Sequence, residues 1–145
     1  MSTSTPVSPD LREFIDDLHE KLKGHATRSD TEPFLELWSH TPDASIMAAV
    51  GGYHVGYDEV SKLLRWVSQR LRFDTYTAET LRTHAGDHLA ASVELEHFTN
   101  LAEGQEMTLR VTHVYRKDGG SWKLLHRHAE MLTPVDETLP VQPSS

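Results

Sequence analysis

A chain of 145 residues without a single cysteine has the size of one domain around one core, and it excludes disulfide frameworks, thiolate metal sites, iron–sulfur clusters and cysteine nucleophiles. Its 14 Lys and Arg against 22 Asp and Glu give a formal charge of -8, which repels a phosphate backbone; with no basic run to override it, nucleic acid is not an expected partner. Ten histidines make that charge soft below about pH 6.5.

The opening MSTSTPVSP carries neither the basic residues nor the apolar run of a secretory signal. No stretch approaches the roughly 18 apolar residues of a membrane span, so a cytoplasmic protein with no membrane partner is expected. Leu11, Phe14, Ile15, Leu18 and Leu22 then recur at helical spacing, with Pro9 in the first turn and Gly24 at the end. A shorter helix is expected after Asp30 as N-cap, carrying Phe34, Leu37 and Trp38 until Pro42 stops it. Ile46 to Ala49 and Tyr53 to Val55, separated by Gly51-Gly52, predict a short hairpin. Asp58 caps a third helix with Val60, Leu63, Leu64, Val67 and Leu71 along one side. From Thr75 the period changes to two. The runs Thr75 to His84, His88 to Leu101, Glu106 to Arg116 and Trp122 to Leu132 are divided by Ala-Gly-Asp, Glu-Gly and Asp-Gly-Gly turns. From Thr133 onward three prolines and little apolar content predict a tail.

Helices first and a long antiparallel meander afterwards define an α+β domain over 10–132, with flexible tails at 1–9 and 133–145. Long strands curve, and a curved sheet closed by helices leaves a hollow for a small molecule.

The segment LRVTHVYRKDGGSWKLLHRHAE (Leu109 to Glu130), with LWSH at 37–40 and GGYHVGYDEV at 51–60, resembles the SnoaL-like branch of the nuclear transport factor 2-like superfamily. The resemblance covers roughly Asp10 to Leu132. It implies a cystatin-like cone, a curved antiparallel sheet with three N-terminal helices, an internal pocket and a homodimer paired through the sheet. It does not select an activity, because isomerases, dehydratases, cyclases, epoxide hydrolases and non-enzymatic hub or transport domains share the cone. Glu94, Glu96 and Glu130 lie in the strands but match no acid or base position of those enzymes.

Strict alternation divides the last two runs into two faces: Arg110, Thr112 and Val114 with Leu125, Arg127 and Ala129, against Leu109, Val111, His113 and Tyr115 with Trp122, Leu124, His126 and His128. A one-residue bulge exchanges them. The resemblance to kinase hub domains sets Thr112 and Ala129 on the pocket side, and parity then adds Arg110, Arg127 and, from the preceding strand, His97. Two arginines and a histidine in a low-dielectric hollow suit a carboxylate or enolate-like oxyanion; the alternative is that each arginine pairs with a strand carboxylate or reaches solvent. His113, His126 and His128 together would suit a metal, with Glu130 or Glu96 as a fourth ligand, but they are expected to hydrogen-bond at the dimer face, and no metal or other cofactor is expected. Trp38, Met47, Tyr53, His54 and Trp66 belong to the elements that build the mouth of the cone in the superfamily, where aromatic walls suit a planar ligand. Gly51-Gly52 has no phosphate-loop spacing, and no nucleophile elbow is present.

These features predict a small-molecule-binding protein acting as a cofactor-independent acid/base enzyme of isomerase, cyclase or lyase type on a carbonyl or anionic substrate. Arg110 and Arg127 would hold the anion and Thr112 orient it. Trp38, Tyr53 and Trp66 would contact the substrate, and His97 or His54 would move the proton. The alternative is a non-catalytic dimeric module binding a ligand or another protein. Apolar residues on both strand parities, such as Val111 and Val114, require cover on both faces and point to a dimer.

Overall fold

The computed structural model describes residues 7–141; the first six residues of the expected N-terminal tail and the last four of the C-terminal one lie outside them. The first helix, α1, spans Pro9–Arg28. Ser8 caps it by accepting from the Leu11 N–H at 3.4 Å, and Pro9 sits in the first turn, where its missing N–H costs nothing. Ser8 and Pro9 therefore belong to the domain and not to a tail. Gly24 does not end the helix: it is buried inside it, where a Cβ would stand 3.0 Å from Arg28 Nη2. The helix ends instead at Ser29, which takes the left-handed conformation at φ 56. The second helix, α2, is only Glu32–Glu36. Its N-cap is Thr31 rather than Asp30, and the Thr31 hydroxyl bonds to His25 instead of the helix. Leu37 is its C-cap, still in helical conformation, and Trp38 bridges to Leu124, whose N–H donates to the Leu37 carbonyl at 2.8 Å.

The expected hairpin consists of β1, Ser45–Met47, and β2, His54–Val55. The third helix, α3, spans Tyr57–Arg70; Gly56, at φ 94, is its N-cap, and Asp58 lies in the first turn, where its charge still favours the helix dipole. The meander is β3 (Thr75–Ala85), β4 (Leu89–Asn100), β5 (Gln105–Asp118) and β6 (Ser121–Met131). The sheet order is β2-β1-β6-β5-β4-β3, antiparallel throughout except that β1 runs parallel to β6. The sheet is curved and unclosed, and α1 packs against it. Leu11, Leu18 and Leu22 meet Phe34, Ile46, Leu64, Phe98, Leu109 and Ala129 in one buried core.

Two bulges interrupt the ladders, at Leu81 of β3 and at Leu125 of β6. The second decides which side chains face the core. Tyr115 pairs with Leu124 and Val114 with His126, leaving Leu125 without a partner, so alternation restarts one residue later. Trp122 and Leu124 point inward as expected, but so do Arg127 and Ala129, alongside Leu109, Val111, His113 and Tyr115. The outer face receives Arg110, Thr112 and Val114 together with His126 and His128. Arg127 and Ala129 have thus changed places with His126 and His128 relative to the two expected faces.

Candidate functional site

The concave side of the sheet holds a chain of buried polar side chains. β4 has an inverted pattern: Ser92, Glu94 and Glu96 are buried while Val93 and Leu95 face outward. Glu96, with no exposure at all, accepts two hydrogen bonds from Arg127, at 2.6 and 2.8 Å, and a third from the Tyr76 hydroxyl at 2.8 Å. Burial opposes the charge on Glu96, but Arg127 outweighs it and holds the carboxyl below its ordinary range. Burial likewise opposes the charge on Arg127, and Glu96 more than restores it. Such a fork-to-fork pair is geometrically specific.

Arg127 Nη1 also stands 3.0 Å from His113 Nε2. A guanidinium only donates, so the network assigns Nε2 as acceptor and the imidazole proton to Nδ1, which donates to Tyr115 OH at 3.2 Å. The remaining bonds follow in one direction. Tyr115 OH donates to Ser92 Oγ at 2.6 Å and Ser92 donates to Glu94 at 2.7 Å. From α1, His19 Nε2 donates to the other Glu94 oxygen at 2.8 Å. Burial works against the Glu94 charge, and the imidazoles of His113, 3.6 Å away, and His19 outweigh it to hold the carboxyl well below its usual range. For His19 burial also opposes the charge, but Glu94 raises its pKa above the ordinary value. The interior is therefore charge-balanced when His19 is protonated: two carboxylates, one guanidinium and one imidazolium.

Beside this chain lies a cavity of about 100 Å³. Leu22 and Ala26 of α1, Phe34 of α2, Ile46 of β1, Leu64 and Val67 of α3 and Phe98, Leu109 and Ala129 of the meander give it apolar walls. Arg127 and His25 are its polar lining residues. His25 Nδ1 is 2.9 Å from Thr31 Oγ1, and among the described residues nothing bonds to its Nε2. Burial, reinforced by the charge of Arg127, lowers the His25 pKa to about 4, so its ring is neutral at neutral pH. Val50 and Leu71, both exposed, border the cavity on its solvent side.

Of the expected site residues, Arg127 alone lines this cavity. Arg110 is on the outer face, half exposed and paired with Glu130 at 2.9 Å, so the two arginines lie on opposite sides of the sheet and hold no anion between them. Thr112 shares that outer face. His97 does too, bonding Thr108 Oγ1 at 3.1 Å and standing 3.7 Å from Glu79. His54 is half-buried on β2 and does not line the cavity. Trp38 is fully buried in the core, with its indole N–H unpartnered among the described residues. Tyr53 is 71% exposed, and Trp66, also exposed, has Arg70 stacked 4.4 Å above it. The histidine trio is divided as well: His113 is inside, while His126 and His128 are outside with ring centres 6.4 Å apart. Setting the face of Thr112 and His97 toward the pocket left Glu94, Glu96 and His113 outside it, and reading only the apolar stripe of α1 missed His19 and His25. Both histidines continue that stripe, at four and ten residues beyond Ile15, which was the available signal.

A family model described as a SnoaL-like domain matches residues 12–134. No curated protein matches the chain. Among solved structures, one assigned as a calcium/calmodulin-dependent protein kinase type II association domain from Thiobacillus denitrificans superposes with a TM-score of 0.74 at 16% identity, covering 89% of this chain and 100% of that one. An NTF2-like protein from Pseudomonas putida gives 0.70 at 18% identity, covering 92% and 94%. A ketosteroid isomerase-like protein from Erwinia carotovora atroseptica also gives 0.70 at 18%, covering 86% and 95%. At these identities the likeness is one of fold. No helix among the described residues is long and apolar enough to cross a membrane. With the helices, the curved sheet and the family match all in agreement, the chain belongs to the SnoaL-like domain family of the NTF2-like superfamily.

Proposed function

We propose that this chain is a small-molecule-binding domain whose ligand occupies the cavity between α1, α3 and the concave face of the sheet. The observation that carries this reading is the cavity itself: apolar walls with two polar groups, Arg127 and His25, which is the composition of a ligand site. Saturable shifts of the Ala129 and Ile46 methyl resonances on titration with small cyclic compounds would support it. Ala129→Phe, which fills the cavity, should abolish them; shifts that persist in that variant would overturn the reading.

A second reading, acid/base catalysis, is favoured by His25. A neutral imidazole with Nε2 unpartnered among the described residues can take a proton from a carbon beside a carbonyl, while an Arg127 N–H stabilises the developing enolate oxygen. His25 replaces His97 and His54 in this role. Incorporation of deuterium next to the carbonyl of cyclopentanone in heavy water, lost in His25→Gln, tests it; a rate equal to that of buffer would exclude it for this substrate.

The homodimer belongs to the same proposal. Val93, Leu81, Met131 and Leu132 are exposed, with Val93 and Leu95 facing outward from β4, and a second copy would cover them. Light scattering should give twice the chain mass, and Val93→Glu should return it to one. Cytoplasmic placement remains part of this reading and is tested by fractionating cells.

A further inference from the structure

We propose that Glu96 sets the charge selectivity of the cavity, making it a site for neutral carbonyl compounds with a ring-sized apolar body and excluding carboxylates of the same shape. This rests on the cavity being the ligand site. An arginine in an apolar hollow ordinarily suggests an anion. Here the guanidinium already has its counter-anion, because Glu96 takes two of its five N–H groups and His113 takes a third. The other two have no partner among the described residues. They can donate to a carbonyl oxygen, which needs a hydrogen bond and no neutralising charge. A carboxylate would add a third anion to an interior that holds Glu94 and Glu96 against Arg127 and His19, and would lose its hydration on entry.

The other polar lining group does not change this balance. His25 also lines the cavity and is kept neutral by burial and by the charge of Arg127, so it offers hydrogen bonding without a cation. At about 100 Å³ the cavity is smaller than the ~150 Å³ that takes benzene. A cyclic ketone of five ring atoms has as many heavy atoms as benzene, so it enters the enclosed part carbonyl first, with the rest of its apolar body between Val50 and Leu71.

Cyclopentanone, cyclopentanecarboxylate and methylcyclopentane titrated separately into the full chain at pH 7.5, followed by the Ala129 methyl resonance, provide the test. The ketone should bind at least tenfold more tightly than the carboxylate. A carboxylate that binds as tightly as the ketone overturns the selectivity while leaving the cavity as a ligand site. Failure of all three removes the ligand site and the selectivity with it. Glu96→Gln frees the guanidinium charge and should reverse the order, with cyclopentanecarboxylate raising the variant's melting temperature more than the ketone does. A folded variant that still rejects the carboxylate refutes the role of Glu96. If the variant does not fold, the wild-type comparison decides alone.

Discussion

Arg127 illustrates how one side chain can be indispensable without adding net stability. Removing a buried ion pair altogether is often close to neutral, whereas removing one partner leaves an unpaired charge and typically costs about 3–5 kcal/mol. Arg127→Met should therefore lower the melting temperature strongly by exposing Glu96 to an apolar interior, with Tyr76 as its remaining hydroxyl donor. The double variant Arg127→Met with Glu96→Gln should recover much of the loss. Thermal denaturation of the four proteins in the cycle gives the coupling; additive losses would show that the two groups do not act as a pair. The adjacent polar atoms have a different fate. Ser92 and Tyr115 are satisfied within the network, and burial together with Glu94 pushes the Tyr115 hydroxyl well above its usual pKa.

Among the elements, α1 and α3 were legible from periodicity because each buries a regular stripe, and the hairpin and the meander from alternation and turn residues. The faces of β6 were not, because Leu124 and Leu125 are both apolar and nothing in the sequence marks which is the extra residue. β4 misled in a different way. Val93 and Leu95 are the apolar parity and would normally face the core, yet the fold turns them outward and buries Glu94 and Glu96, a reversal that only the partners Arg127, His113 and His19 make tolerable. The bulge itself makes a prediction. Since Val114 pairs with His126 and Tyr115 with Leu124, deleting Leu125 should straighten β6 without exchanging its faces. The Arg127 to Glu96 pair should survive, visible as retained chemical shifts of the Arg127 guanidinium. Loss of those resonances in a folded deletion variant would show that the bulge also sets the angle at which Arg127 enters the interior.

For the molecule as a whole, two histidines give stability opposite dependences on pH. His25 has its pKa lowered in the folded chain from 6.5 to about 4, so its contribution is complete above pH 6.5 and is lost as pH falls towards 4, on the order of 3 kcal/mol. His19 is raised; its contribution is complete below the unfolded value and is lost as pH rises through the folded one. Between pH 6.5 and 5, above the ordinary titration of the carboxylates, denaturant titrations of His25→Gln should show a flatter acid limb than the wild type. His19→Gln should match the wild type there and differ above pH 6.5, where it lacks the fall in stability that the wild type shows as His19 loses its proton. An unchanged acid limb in His25→Gln would mean that the ring is already protonated in the folded protein.

The bulge at Leu81 has its own consequence at this scale. β3 is an edge of the sheet, eleven residues long, and a straight strand of that length would be a template on which further chains could add in register, as in fibril growth. The extra residue at Leu81 breaks the spacing of the free backbone groups midway along the edge. Glu79 and Arg82, charged and on either side of it, would meet copies of themselves in any parallel, in-register stack. The open side of the cone is thus a poor seed for polymerisation, and the protein can expose a long strand edge without becoming a fibre.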